Sequence, residues 1–177
     1  MRGLILLLAL AVSGCMNRPP DIDALTLPPP QSLDCCWQAT ERLVIATTES
    51  QLDLLAVLAV QNDNVTLVLM DTLGSRLLSV TQGNHGLVVD SGRSEAAQLP
   101  VRLLLLGVYL RHLESEDWRH VDRRYRVEAS SGDRTLMFND QEVVEIKVIP
   151  DTPETVQLSY FGIEATVTIE TVEKIQL

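Results

Sequence analysis

The sequence predicts a mainly β (α+β) domain: a strongly curved antiparallel sheet, in the form of a half-barrel, with a buried leucine-rich helix. Two observations predict this fold. Short apolar runs follow one another across brief turns rich in Asn, Asp and Gly, and connections that short join antiparallel strands. One segment in the middle of the chain is instead apolar on every side, which is typical of a helix buried on several sides. We place this single domain at residues 37–177.

The first half of the domain has the pattern of an antiparallel meander. Predicted strands cover residues 43–47, 52–60, 65–70 and 76–81. Asn62-Asp63-Asn64 and Asp71-Thr72-Leu73-Gly74 separate three of them, and these residue types favour turns because they tolerate left-handed backbone or bond to their own backbone. Each strand is therefore expected to pair with the one before it.

Segment 99–113 ends this β rhythm and is predicted to be a helix. Pro100 suits the first turn of a helix, where no backbone N–H is needed. The four consecutive leucines from Leu103 to Leu106 span most of the helix circumference, so more than one side has to be buried. Crossing a bilayer takes about 20 apolar residues, and this segment is shorter. Gly107 is expected to allow one close approach to a neighbouring backbone.

The second half of the chain returns to β structure. Predicted strands cover residues 123–129, 134–139, 143–149, 155–160 and 163–171. In the last of them Ile163, Ala165, Val167 and Ile169 occupy one face and polar side chains the other. This period of two predicts one buried and one solvated face.

A strongly curved sheet leaves a concave apolar face that has to be covered, and the helix is the segment able to cover it. We therefore predict a cavity lined or roofed by the helix. Its candidate ligand-binding side chains are Leu103, Leu104, Leu106, Val108 and Leu110. Aliphatic side chains with few polar groups are typical of pockets for hydrophobic molecules.

The first residues indicate export. Arg2 precedes an apolar run too short to cross a bilayer, so residues 1–14 are predicted to be a signal peptide. Val12-Ser13-Gly14-Cys15 resembles the lipobox of bacterial lipoproteins. This resemblance implies a mature N-terminus at Cys15 that carries a thioether-linked diacylglycerol and an acylated amine. The alternatives are an ordinary signal peptide cut elsewhere, or a buried helix.

The residues after Cys15 are expected to tether the domain at a membrane. In enteric bacteria an aspartate after the lipidated cysteine retains a lipoprotein in the inner membrane, and Met16 stands there in this chain. By that analogy the destination is the outer membrane, on its periplasmic side. Residues 15–36 include Pro19-Pro20 and Pro28-Pro29-Pro30, which predict a polyproline II spacer that extends about 3.1 Å per residue.

The charge of the chain excludes one class of partner. Its formal net charge is −10, and phosphate backbones repel an acidic protein, so we expect no nucleic-acid partner. Anionic lipid surfaces repel it for the same reason. The covalent lipid, rather than electrostatic attraction, is therefore expected to hold the protein at the membrane.

Cys35 and Cys36 are adjacent, and the sequence leaves two interpretations open. They are a pair of partly buried thiols, as cysteine often is, or they form a vicinal or intermolecular disulfide in an oxidising compartment. Consecutive Cα atoms lie about 3.8 Å apart, which is below the usual Cα separation of disulfide partners, roughly 4.4–6.8 Å.

The sequence contains no Gly-x-Ser-x-Gly, Cys-x-x-Cys or His-Glu-x-x-His motif. His112 and His120 bracket Glu114, Glu116 and Asp117, but their spacing matches no recognised ligand pattern. A polar linker after the helix is the simpler interpretation. We expect no enzyme activity, no metal and no cofactor beyond the lipid on Cys15.

Basic residues are concentrated between Arg119 and Arg126. One interpretation is a solvated strand edge, which charge protects from aggregation. The other is a mouth that receives an anionic headgroup or carboxylate, with Arg123, Arg124 and Arg126 as contacts, because arginine forks match that geometry.

Several stretches are similar to an uncharacterised family of bacterial outer-membrane lipoproteins that is often encoded in aryl polyene gene clusters. They are residues 54–60, residues 67–80, Leu99-Pro100 and Tyr160-Phe161-Gly162. That family resembles in architecture the lipoprotein carrier LolA and the outer-membrane receptor LolB, half-open β-barrels whose helices plug an apolar cavity. The resemblance implies an apolar loop side chain that delivers cargo to the membrane, for which Leu73 is the candidate.

These observations lead to one expected function and one alternative. We expect a membrane-anchored, non-catalytic binder or carrier of a hydrophobic ligand: a lipid, the acyl chains of a lipoprotein, or a polyene intermediate. The alternative is a structural or assembly lipoprotein that binds another envelope protein and has no ligand cavity.

Overall fold

The computed structural model describes residues 21, 25–92, 99–152, 154–163 and 165–177. Its strands are β1 (Trp37–Thr47), β2 (Gln51–Gln61), β3 (Asn64–Met70), β4 (Arg76–Gly83), β5 (Gly86–Ser91), β6 (Tyr125–Ser130), β7 (Asp133–Phe138), β8 (Gln141–Val148), β9 (Thr155–Tyr160) and β10 (Ala165–Gln176). Its helices are α1 (Val101–His112), α2 (Trp118–Val121) and a 3-10 turn at Pro30–Ser32.

The strands form one antiparallel sheet in the order β5-β4-β3-β2-β1-β10-β9-β8-β7-β6. Two five-stranded meanders are joined at the centre by β1 and β10, which pair from Trp37 opposite Gln176 to Thr47 opposite Ala165. The sheet is open, with β5 and β6 at its two edges. The connection between these edges contains α1, so the helix crosses from one side of the sheet to the other. The predicted mainly β, antiparallel class is confirmed.

The sheet buries one face and curves around α1. Burial alternates along β2, β3, β4 and β9, as a strand with one covered face requires. Every position of α1 from Leu103 to Leu110 is buried, so the rest of the protein covers this part of the helix on all sides. Register shifts at Thr40/Glu41 in β1 and Leu136/Met137 in β7 mark bulges, which bend a strand and increase its twist. This open sheet is consistent with a half-barrel.

The structure extends several predicted elements. β1 begins at Trp37 and β10 continues to Gln176. The two extensions pair with each other, although their residues are far apart in the sequence. The edge strand β5 and the short helix α2 were not predicted. In β5 all but one position is exposed, so it carries little of the alternation that marks the other strands.

Candidate ligand-binding site

The five predicted cavity side chains all lie in the interior. Leu106 and Leu110 have an exposed fraction of 0%, and those of Leu103, Leu104 and Val108 are 2%, 8% and 9%. The structure thus brings the predicted residues together on one helix inside the sheet. It also buries Leu105 and Tyr109 completely, so no face of α1 meets solvent between 103 and 110.

Gly107 allows α1 to lie directly against β9. A Cβ atom at this position would overlap with Cδ2 of Leu158 and lie 3.0 Å from the hydroxyl of Tyr160. The predicted close approach is therefore present, and its partners are side chains of β9 rather than a backbone. A side chain at position 107 would force either Leu158 or the helix to shift.

The C-terminal end of α1 is attached to the central strands by an ion pair whose carboxylate is buried and whose guanidinium is partly exposed. Arg111 donates to Oε1 of Glu41 at 2.8 Å and to Oγ1 of Thr171 at 2.8 Å. The bulge at Thr40/Glu41 places the two acceptors opposite each other in β1 and β10. Burial raises the pKa of the Glu41 carboxyl, and the charge of Arg111 opposes that rise. One residue beyond the helix end, Arg134 of β7 donates to the carbonyl oxygen of Leu113.

His112 lies beside this pair and packs on Trp37, with ring centroids 4.8 Å apart. The ammonium of Lys174 covers the same indole at 4.1 Å. Burial first, and then the positive charges of Arg111, Lys174 and Arg134, lower the pKa of His112 to about 3. The imidazole is therefore neutral at neutral pH.

Cys35 borders this cluster and forms a disulfide with Cys36 in the structure. Of the two interpretations that the sequence left open, the structure contains the vicinal disulfide. Together with Trp37 and His112, Cys35 lines a surface pocket of about 210 Å³.

Residues 25–36, here called the strap, lie against the open side of the sheet. The strap buries Leu25, Pro28, Pro30 and Leu33. The predicted polyproline II spacer would project into solvent. Residues 25–36 instead pack against the domain. The reason is that the segment interleaves large apolar side chains with its prolines.

Three carbonyl oxygens of the strap accept hydrogen bonds from three different elements. Arg102 of α1 donates to Leu25 at 2.8 Å, Tyr125 of β6 to Thr26 at 2.9 Å, and Gln82 of β4 to Pro28 at 2.7 Å. The strap therefore spans from the edge strand β6 to β4, next to the opposite edge. Gln82 also accepts from the Tyr109 hydroxyl at 3.0 Å, so one buried amide joins the strap to α1.

An aromatic cluster lies below the start of β6. Trp118 of α2 packs edge-on against Tyr125 with ring centroids 5.3 Å apart, and Tyr125 packs on Phe138 at 5.0 Å. Trp118 is completely buried, and its Nε1–H has no hydrogen-bond partner within the described part of the chain. A buried donor left unpaired costs about 1–3 kcal/mol.

The predicted headgroup residues Arg123, Arg124 and Arg126 lie together along one surface groove of about 420 Å³, which Arg119 also lines. Arg124 makes a two-pronged contact with Asp122, at 3.0 and 2.7 Å, and lies 4.6 Å from the Phe138 ring centroid. The pKa of Asp122 is lowered by these hydrogen bonds. β6 is also an edge strand, so the position fits both interpretations of the basic cluster.

Leu73 projects from the turn between β3 and β4. Its exposed fraction is 90%. Oδ1 of Asp71 accepts from the backbone N–H of Leu73 at 3.0 Å and of Ser75 at 2.8 Å, and Gly74 supplies the positive φ of +82° that the turn needs. The turn therefore holds a large apolar side chain in solvent.

Within residues 21, 25–92, 99–152, 154–163 and 165–177, no group of three or more His, Cys, Asp or Glu side chains is placed to hold a metal ion. In the same residues, neither helix has the length and apolar content needed to cross a bilayer. Cys15 and the predicted signal peptide lie outside the described residues.

A family model described as "Protein of unknown function (DUF3261)" matches residues 38–173. The match covers β1 to most of β10 and more than half of the chain, so the protein belongs to this uncharacterised family. No curated protein matches the sequence.

Proposed function

We propose that this DUF3261 protein is a lipid-anchored protein on the periplasmic side of the outer membrane, and that its domain binds a hydrophobic ligand without catalysing a reaction. The ligand classes are a lipid, the acyl chains of a lipoprotein, or a polyene intermediate. The domain in this proposal works as LolA and LolB do, with α1 as the plug of a half-open barrel. Cys15, with its diacylglycerol and N-acyl chain, is the anchor.

The observation that carries the proposal is the way the concave face is covered. α1 fills the sheet interior with apolar side chains on all its faces, and the side between the two unclosed edges is covered by the strap, which is not a strand of the sheet. Displacing α1 and the strap would expose a continuous apolar surface without breaking a strand pair. An apolar ligand can replace those contacts, because burial is favoured at about 25 cal/mol per Å² regardless of which apolar group is buried.

The position of Leu73 supports a fixed orientation at the membrane. The turns after β1, β3, β7 and β9 lie on one rim of the sheet, here called the upper rim, because consecutive strands are antiparallel. Leu73 is in the second of these turns. Thr26 of the strap is bonded to Tyr125, the first residue of β6 and part of the same rim. Ten residue steps separate Cys15 from Leu25, a reach of about 35 Å in a fully extended chain, so the anchor can place the upper rim at the bilayer.

The presence of a ligand is tested by native mass spectrometry of the full-length lipidated protein, extracted from envelopes without organic solvent. We expect a mass larger than that of the lipidated chain, because a hydrophobic molecule is bound non-covalently. Gln82→Leu, which removes the amide between strap and α1, should release that molecule faster. Gln38→Leu, on the outward face of β1, is the matched control. A chain that carries no molecule and takes up no apolar dye would refute the carrier proposal.

The membrane orientation is tested separately. Leu73→Asp should weaken transfer of the bound molecule to vesicles and leave its binding unchanged, because the exposed Leu73 side chain is not part of the hydrophobic core. Thr72→Asp, one residue earlier in the turn, is the control for added charge. If both variants transfer equally well, Leu73 has no role at the membrane.

The burial of α1 also favours the alternative, a structural or assembly lipoprotein. Eight consecutive helix positions are already covered by the protein's own side chains, and the pockets described above are on the surface and lined largely by polar groups. In that case co-purification from envelopes should yield a stoichiometric protein partner and no small molecule.

A further inference from the structure

We infer that the groove at the start of β6 is an oxyanion site, which binds a phosphate or carboxylate at the polar end of the ligand. The inference deepens the proposed function and rests on it for the apolar part of the ligand. The groove is lined by Arg119, Arg123, Arg124 and Arg126 together with Asn139 and Asp140.

In the part of the chain that the structure describes, two of these arginines are not paired with a carboxylate. Arg124 is paired with Asp122, and Arg126 with Glu128 and Asp140. Arg119 and Arg123 have no acidic partner among the residues that the structure describes. In a chain of net charge −10, two guanidinium groups without an acidic partner among those residues form a local positive site on one groove.

The paired arginines hold the groove in shape. Arg124 is fixed from two sides, by the Asp122 carboxylate and by the Phe138 ring. Arg126 donates to the exposed Asp140 carboxylate at 3.3 Å. A guanidinium is a planar fork that matches the oxygens of a phosphate or carboxylate, and prior positioning reduces the entropy lost on binding.

The groove is directly outside the apolar interior. Tyr125 lines it, yet its ring is 2% exposed and packs on the buried Trp118. The Tyr125 hydroxyl is also the donor to the strap at Thr26. Movement of the strap at this point would connect the groove to the interior, so a molecule with an anionic end and an apolar tail could occupy both.

The test uses full-length lipidated protein in phosphatidylcholine nanodiscs. Binding of inorganic phosphate is measured by calorimetry, and binding of phosphatidylglycerol vesicles by co-flotation. The double variant Arg119→Gln/Arg123→Gln is compared with Arg42→Gln/Arg76→Gln, which removes the same charge from two arginines paired at exposed sites. We expect the first variant to lose about tenfold or more of the affinity for the anion, since charged hydrogen bonds are the stronger class, and the second to bind as the wild type does.

The two probes separate the source of the anion. Binding of both phosphate and vesicles shows that the oxyanion alone is sufficient. Binding of the vesicles alone, lost in Arg119→Gln/Arg123→Gln, assigns the site to a lipid headgroup. Equal binding by the two double variants, or no binding of either probe by the wild type, would overturn the inference. Retention of an uncharged hydrophobic molecule by Arg119→Gln/Arg123→Gln would show that the interior site stands independently.

Discussion

The two ends of α1 are held by different kinds of structure. At the C-terminal end Arg111 is bonded to Glu41 and Thr171, which belong to the two central strands of the sheet. At the N-terminal end Arg102 is bonded to the carbonyl oxygen of Leu25, which belongs to the strap. One end is therefore attached to the most extensively paired part of the sheet, and the other to a segment outside it.

This difference indicates which end of the helix moves. Opening the N-terminal end requires the strap to leave, which replaces three hydrogen bonds by bonds to water and exposes the apolar side chains that the strap buries, among them Leu25 and Leu33. Opening the C-terminal end requires separating a charge pair, which leaves a buried carboxylate without its partner. If a ligand enters, we expect α1 to swing about the end at Arg111.

Breaking the C-terminal attachment should have the largest effect on stability. Arg111→Ala leaves Glu41 buried and unpaired, which costs about 3–5 kcal/mol, measured as the free energy of unfolding in urea. Arg42→Ala removes an exposed pair with Asp53 and should cost less than about 1 kcal/mol. Equal losses in the two variants would mean that the pair of Arg111 with Glu41 does not anchor the helix.

A side chain at Gly107 should destabilise the contact between α1 and β9. Gly107→Ala forces Leu158 or the helix to shift, and overpacking of this kind costs about 1–3 kcal/mol. Leu158→Ala makes room at the same place, so the double variant should lose less than the sum of the single losses. Additive losses in urea unfolding would show that the helix does not meet β9 at this position.

Acidification should weaken the C-terminal end through His112. The pKa of His112 is about 3 in the folded protein and 6.5 without its surroundings, so below pH 6.5 the unfolded chain binds a proton that the folded chain does not. Stability therefore falls as the pH is lowered from 6.5 towards 3, by roughly 2 kcal/mol at pH 5 from the linkage relation.

His112→Gln should remove this dependence of stability on pH. Comparing the variant with the wild type separates the contribution of His112 from that of Glu41. Burial raises the pKa of Glu41, so the folded protein binds this proton more readily, and its contribution is lost as the pH rises through the folded pKa. The two groups thus act in opposite directions. An unchanged pH dependence of the melting temperature in His112→Gln would exclude the histidine.

Loosening the strap should have a modest effect on global stability and the sharpest local effect. Gln82→Leu removes the hydrogen bonds to Pro28 and Tyr109. The Pro28 carbonyl oxygen can turn to water, but the completely buried Tyr109 hydroxyl loses its partner, so we expect a cost of about 1–3 kcal/mol. Hydrogen exchange should accelerate in the first turn of α1 and remain slow near Arg111. Uniform acceleration along α1 would contradict a helix that moves at one end.

Most of the strands were predictable because their burial follows a local rule. Residues 166–170 of β10 alternate between outside and inside, and that period of two is present in the sequence alone, as Thr-Val-Thr-Ile-Glu. The start of β1 and the end of β10 escaped prediction because Trp37–Thr40 and Glu173–Gln176 are stabilised by each other. A pairing between the two ends of a chain leaves no local signal.

The binding features divide in the same way. The burial of Leu103, Leu104, Leu106, Val108 and Leu110 follows from a helix that is apolar all round. The strap and the pair of Arg111 with Glu41 did not follow from any pattern. A Pro-rich composition is typical of a spacer, and an arginine has no preferred partner until folding brings a carboxylate 70 residues away in sequence within reach.

The sequence by itself determined that the protein has an antiparallel sheet and one interior helix, because period-two and all-round apolar patterns each satisfy burial in only one kind of element. Only the tertiary structure decided that β1 pairs with β10, that residues 25–36 cover the open side of the sheet, and that the arginines from 119 to 126 line one groove. These features depend on contacts between residues far apart in the chain, whose geometry is set when the whole sheet has formed.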